Sequence, residues 1–148
     1  MLAQPVLPVD GGRVRAALAA AGGAEWYADG AGRFMAETDQ GVVHAHLDPA
    51  RPAALVFRCR WGRRLSVDHQ ARVRELLDAA NRTTDGPRLA LTITDRGHLA
   101  VVAECAHWLP AGASDGQLEH LATRAMTALP LALRRLDAAF PDRYGTPA

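Results

Sequence analysis

Two consecutive segments decide the fold of this chain: LSVDHQARVRELLDAANRTTDG, residues 65–86, and PRLALTITDRGHLAVVAECAHWLP, residues 87–110. The first predicts an amphipathic helix that is capped by Ser66 or Asp68, because its apolar residues recur at helical spacing. These residues are Val73, Leu76, Leu77 and Ala80. Asn81 lies near the expected helix end, where asparagine tolerates the left-handed conformation.

The second segment predicts a β-hairpin. Leu89, Leu91 and Ile93 alternate with smaller or polar residues, and Asp95-Arg96-Gly97 is typical of a tight hairpin loop. The return strand is expected from His98 to Trp108, with an inward set made of Leu99, Val101, Ala103 and Cys105, and with His107 at the same parity. Its nearly continuous apolar run is typical of a strand that is covered on both faces.

Three further strands are predicted upstream, at Arg33–Thr38, Gly41–Leu47 and Ala54–Trp61, joined by short turns. The third alternates most clearly. Its large apolar residues share one parity and predict the core face: Leu55, Phe57, Cys59 and Trp61. Val56, Arg58 and Arg60 take the other parity, so both arginines are expected to point outward.

Helices are predicted at both ends of the chain. Asp10 is a good N-cap for a first helix that stops at Gly22-Gly23. Ser114 and Gln117 have the spacing of a capping box, which begins a long last helix. Pro130 predicts a kink in that helix, because proline lacks the N–H and clashes one turn back. Such a helix could serve as a dimer seam or as one wall of a partner groove.

The order of elements is therefore α-β-β-β-α-β-β-α. Consecutive strands joined by tight turns predict an antiparallel sheet of about five strands with helices laid on it, an α+β fold. The length of 148 residues suits one domain, 1–148, with an extended arm over 1–9 and a polar tail over 142–148.

The composition of the chain argues against binding to nucleic acid or to membranes through overall charge. The 17 basic residues, all arginine, nearly balance 16 acidic ones, so the net charge of +1 gives no global footprint for nucleic acid or membranes. Neither a signal peptide nor an apolar run of membrane-spanning length is apparent, so a cytoplasmic location with reduced thiols is expected.

Few residues suggest catalytic or metal chemistry. His44 and His46 share one face of a strand and could ligate a metal, but zinc needs three or four protein ligands and no third is apparent. Cys59 and Cys105 lie outside any C-x-x-C motif, and Glu104 is expected to pair with Arg58 or Arg60 across the outer sheet face. We therefore expect neither a catalytic residue nor a cofactor.

One local basic group, RCRWGRR at residues 58–64, is the candidate partner-binding site. It contains Arg58, Arg60, Arg63 and Arg64 around Trp61. Arginine beside an aromatic residue is one of several features that nucleic-acid binding requires. A surface that steers an acidic protein partner is the preferred interpretation.

The central segments resemble the YbjN domain family, whose fold is similar to that of type III secretion chaperones. The residues that carry the resemblance are LLDAAN at 76–81, RLALTITDRGHLAVVAE at 88–104 and SDGQLEHLATRAM at 114–126. The resemblance extends over roughly residues 10–141. It implies a non-enzymatic, chaperone-like or regulatory role, and it implies a homodimer, without defined catalytic residues.

The preferred hypothesis is thus a protein-interaction module that binds an unidentified protein segment by its sheet face or along an apolar groove beside a helix. Two alternatives remain open at this point: a nucleic-acid-binding regulator, and a metal-binding protein that uses His44 and His46.

Overall fold

The structure, a computed structural model, describes residues 4–30, 32–83 and 85–140. Within these ranges there are three α-helices: α1 (Gly11–Ala21), α2 (Gln70–Thr83) and α3 (Asp115–Ala139). A short 3-10 helix, Val67–His69, precedes α2. The strands are β1 (Tyr27–Ala28), β2 (Phe34–Thr38), β3 (Gly41–Asp48), β4 (Arg51–Arg60), β5 (Leu65–Ser66), β6 (Arg88–Ile93) and β7 (His98–Trp108).

All of these strands belong to one antiparallel sheet. The order begins β1-β2-β3-β4-β7, with each strand hydrogen-bonded to the next. Leu99 pairs with both Leu65 of β5 and Ile93 of β6, so β5 and β6 lie on opposite edges of β7. β5 pairs with the first two residues of β7, and β4 pairs along the same edge of β7 from Val102 to Trp108. β6 occupies the other edge of β7 and is therefore the outermost strand at this end of the sheet.

The predicted α+β architecture is confirmed, but the expected number of about five strands is too low. β1 and β5 have two residues each, which is too short for an alternating pattern to be visible. They form because their partners, β2 and β7, present a free edge to them. The other strand bounds agree with the predicted ones to within a few residues.

The helices cover one face of the sheet and create a single apolar core. Leu55, Phe57, Cys59 and Trp61 are all buried in it, as the alternation of the third predicted strand indicates. Buried residues of α3 that meet this face include Leu118, Leu129 and Leu133. The opposite face of the sheet, which we call the outer face, carries the exposed Arg58 and Arg60.

The expectation that the return strand is covered on both faces is wrong for the outer face. β7 has strand neighbours on both edges, and Leu99, Val101 and Ala103 are buried on the inner face. On the outer face Glu104 is only partly buried and Trp108 is 60% exposed. The apolar run therefore reflects a central position in the sheet rather than a second covering layer.

Helix capping follows the predicted signals. The Asp10 carboxylate accepts a hydrogen bond from the Arg13 backbone N–H at 2.8 Å. Ser114 and Gln117 form the reciprocal capping box, with distances of 2.7 and 3.1 Å. α3 continues as one helix through the buried Pro130, so the helix accommodates the missing N–H without ending.

Asn81 has a role that differs from the predicted one. Among the described residues only glycines have positive φ, and Asn81 lies inside α2. Its amide group accepts from the Leu89 N–H and donates to the Leu89 carbonyl, both at 2.9 Å. The side chain thus satisfies the main chain of Leu89 on the edge of β6 that faces away from β7, and it fastens α2 to the sheet.

The N-terminal arm lies against the loop before α3. Leu7 and Ala113 exchange backbone hydrogen bonds of 3.0 and 3.2 Å, and Arg13 donates to the carbonyl of Leu7 and to Asp115. Residues 1–3 of the predicted arm and the predicted tail at 142–148 lie outside the described residues. No helix among the described residues is both long and apolar enough to cross a membrane.

Replacing Asn81 with Ala should lower the free energy of unfolding by about 1–3 kcal/mol, because both main-chain groups of Leu89 lose their partner. Urea denaturation measures this change. Arg82→Ala, at the neighbouring exposed position, is the control and should leave stability within about 0.5 kcal/mol of the original. Equal midpoints for the two variants would contradict the role assigned to Asn81.

Gly41→Ala should destabilise the protein more than Gly97→Ala. Both glycines have positive φ, of 151° and 75°, but a Cβ on Gly41 would overlap the Arg60 carbonyl oxygen, whereas a Cβ on Gly97 meets open space. We expect a difference of about 1–3 kcal/mol between the two variants, measured by thermal and urea unfolding. A larger loss for Gly97→Ala would be inconsistent with this close approach.

Candidate functional site

A predominantly apolar depression lies between α2, the start of β6 and the second half of α3. It has a volume of about 320 Å³, and we call it the α2–α3 groove. Its lining residues come from three parts of the chain: Leu76 and Ala80 from α2, Gly86, Pro87 and Leu89 from the following loop and strand, and Ala128, Leu131, Ala132, Arg135 and Leu136 from α3.

Small side chains create this groove. α2 packs on β6 through the buried Val73 and Leu77, and α3 packs on the centre of the sheet. Where the two helices approach each other, they present alanines at 80, 128 and 132. Alanine side chains are too short to close the gap between the helices, so an apolar trough remains between them.

Leu131 and Arg135 lie one helical turn apart on α3 and give the groove its exposed groups. Leu131 is 44% exposed, which leaves a large apolar side chain in contact with water. Arg135 is exposed and makes no ion pair with any residue in the described ranges. The groove therefore combines an apolar surface with one free positive charge.

The four arginines of the predicted partner-binding group are separated by the fold. Arg58 pairs with Glu104 at 3.2 Å across the outer face, as expected from the strand alternation. Arg63 turns toward α3, where it pairs with Asp137 at 3.4 Å and donates to the Phe140 carbonyl. Its guanidinium also lies 5.8 Å from the centre of the Trp61 ring.

Arg60 and Arg64 are exposed, and within the described residues neither forms an ion pair. None of the four predicted arginines lines the α2–α3 groove. Sequence reasoning did not single out Leu131 or Arg135. Leu131 is a leucine outside the helical stripe of α3, which was the available signal for an apolar side chain that the core does not use.

The outer face carries two adjoining concavities that share His46 and Arg58. One, of about 380 Å³, extends toward Trp108 and has a floor of Ala54, Val56 and Ala106. The other, of about 560 Å³, extends over His44, Arg60 and Arg33 to the hairpin between β6 and β7.

His44 and His46 share the outer face, as their spacing predicts, and each has a buried Nδ1 without a hydrogen-bond partner in the described structure. Burial and the neighbouring Arg33 and Arg58 lower the pKa of His46. No group of three or more potential metal ligands occurs among the described residues. The residues that are described therefore do not complete the coordination that zinc requires.

The two cysteines have no activating environment. Burial raises the pKa of the Cys59 thiol to about 11, and burial also raises the pKa of Cys105. Since the thiolate is the reactive form, both side chains are weak nucleophiles at neutral pH. Cys59 instead fills the core as a small apolar side chain.

Comparison with known proteins gives a relationship in fold. No protein-family model matches the chain, and no curated protein matches its sequence. A solved structure described as "YbjN, a putative transcription regulator from E. coli" superposes with a TM-score of 0.78. The alignment covers 97% of this chain and 100% of that one, at 11% sequence identity.

The similarity extends over nearly the whole chain, which confirms the fold implied by the resemblance of the central segments. At this sequence identity, the comparison supports the architecture rather than a shared activity. The chain has a YbjN-like fold.

Proposed function

We propose that this protein is a non-enzymatic interaction module that binds an amphipathic helix of a protein partner in the α2–α3 groove. The observation that carries the proposal is the exposed apolar surface around Leu131, with Arg135 beside it, which forms no ion pair with a described residue. Helix-in-groove recognition uses apolar side chains at helical spacing on the partner. An acidic residue on the same partner helix would meet Arg135.

The chemistry of the lining favours a protein segment over a small metabolite. Small-molecule sites usually place several polar groups to fix the orientation of the ligand. Among the described residues of the lining, Arg135 is the only one with an ionisable side chain, and the others are aliphatic residues and one glycine. Such a surface selects by shape and apolar area, as the binding sites for helices do.

A regulatory or chaperone-like role follows from this mode of binding. The structural neighbour is described as a regulator rather than as an enzyme, which supports the coarser assignment of a regulatory module. The high thiol pKa values of Cys59 and Cys105 agree with an absence of cysteine chemistry. The homodimer implied by the resemblance belongs to the proposal, and we propose that its contact does not use the groove.

Photo-crosslinking tests the groove. A photoreactive phenylalanine analogue at Leu131 should give a discrete crosslinked product in cells, because the partner helix would cover this position. Val67 is the matched control, since it is a large apolar residue of nearly the same exposure, 43% against 44%, and it lies outside the groove. Adding Arg135→Glu should remove most of the Leu131 product by repelling an acidic partner.

Three outcomes would contradict the proposal: no discrete product at Leu131, the same product at Leu131 and Val67, or a product unaffected by Arg135→Glu. A product of twice the mass of the chain would also overturn it, because the groove would then hold a second copy. Sedimentation of Leu131→Glu confirms that case if the variant is monomeric while the unmodified protein is dimeric.

A further inference from the structure

The outer face of the sheet has a charge pattern that the α2–α3 groove does not use. The charged and ionisable residues that line its larger concavity are three arginines, two histidines and one aspartate: Arg33, Arg58, Arg60, His44, His46 and Asp95. Arg58 is held by Glu104 at 3.2 Å, and Arg33 approaches Asp29 at 3.8 Å. Both arginine side chains remain about half exposed, at 49% for Arg58 and 56% for Arg33.

These ion pairs position the guanidinium groups without saturating them. A guanidinium carries five N–H donors, and each contact named above joins one nitrogen to one carboxylate oxygen. Because both side chains are about half exposed, the remaining donors are accessible to a ligand. Arg60 contributes its full charge, because no described residue forms an ion pair with it. The concavity therefore suits the oxygens of phosphate groups.

The adjoining concavity supplies a flat aromatic surface. Trp108 is 60% exposed at the end of β7, opposite Ala54 on β4. The floor beside it consists of the small apolar side chains of Ala54, Val56 and Ala106. An exposed indole next to an apolar floor gives a planar base a surface on which to stack.

The spacing of these groups decides the class of ligand. Arg58 and Arg60 follow Ala54 by four and six residues on the same strand, which places them about 13 and 20 Å from the Trp108 end. That is longer than the separation between the base and the phosphate of one nucleotide. A single strand of several nucleotides reaches both ends, and its bases are free to stack, whereas those of a duplex are not.

We propose that the outer face binds single-stranded nucleic acid, with a base stacked on Trp108 and with phosphates held by Arg58, Arg60 and Arg33. This surface is separate from the α2–α3 groove, which shares no lining residue with it. Nucleic-acid binding at the outer face can therefore be tested independently of protein binding in the groove.

His46 completes the surface without adding charge at neutral pH. Burial, Arg33 and Arg58 lower the pKa of His46, and Asp48 and Glu104 oppose this shift only in part. A neutral imidazole offers one N–H donor to a phosphate or a base. The arginines thus supply the electrostatic attraction, and His46 supplies a hydrogen bond where the two concavities meet.

Fluorescence anisotropy with labelled oligothymidine and oligouridine of about 12 nucleotides tests the proposal. The unmodified protein should bind at low salt and lose affinity as salt rises. Trp108→Ala should weaken binding about fivefold or more, and Trp108→Phe should restore most of the loss. Arg60→Gln should weaken binding and reduce the slope of log affinity against log salt by about 0.7.

Arg64→Gln is the matched control, because Arg64 is also exposed and forms no ion pair with a described residue, but it lies outside both concavities. It should change affinity less than twofold, as should Leu131→Glu in the groove. Thermal midpoints close to that of the unmodified protein establish that each variant is folded.

Several outcomes would overturn the proposal: no saturable binding at low salt, equal losses for Arg60→Gln and Arg64→Gln, or no loss for Trp108→Ala. Tighter binding of a duplex oligonucleotide than of the single strand would also overturn the proposal. If a mononucleotide competed with the labelled oligonucleotide as well as an unlabelled oligonucleotide does, the ligand of this face would be a small molecule and not a nucleic-acid strand. Equal competition by polyglutamate would make the face a surface for acidic protein segments instead.

Discussion

The pairing register of β4 with β7 is the constraint on which the rest of the structure depends. In this register Phe57 lies opposite Cys105 on the inner face, and Arg58 lies opposite Glu104 on the outer face. A slip by one residue would place the arginines in the core and the aromatic ring in water. The same register therefore builds the inner core under the helices and the charged outer face.

The sequence predicted the elements whose signals are local. The alternation from Leu55 to Trp61, the caps at Asp10 and Ser114, and the hairpin glycines each act within a few residues, so their pattern is visible in the chain. Two-residue strands such as β5 form only because Leu65 meets Leu99 across the sheet. Asn81 was placed correctly near the helix end, but its partner Leu89 belongs to another element, which a propensity argument does not reveal.

The candidate sites were less predictable for a related reason. The RCRWGRR segment is continuous in sequence, yet strand alternation sends Arg58 and Arg60 to the outer face, while Arg63 leaves the strand and joins Asp137. The groove consists of what α2 and α3 fail to fill, and its walls come from residues as far apart as Leu76 and Leu136. A gap between helices has no sequence pattern of its own. A leucine outside the buried stripe of its helix, such as Leu131, is the signal that can indicate such a gap.

The fastening of both helices has a consequence for the groove between them. Asn81 ties α2 to β6, while Asp137, near the end of α3, accepts from the Trp61 indole at 2.8 Å and pairs with Arg63. Each wall of the groove is thus held by polar contacts, α2 to β6 and α3 to the segment that follows β4. These contacts hold the groove walls in place without any contribution from a bound partner. Little conformational entropy is lost in these walls on association, so even a modest apolar contact can be retained as binding affinity.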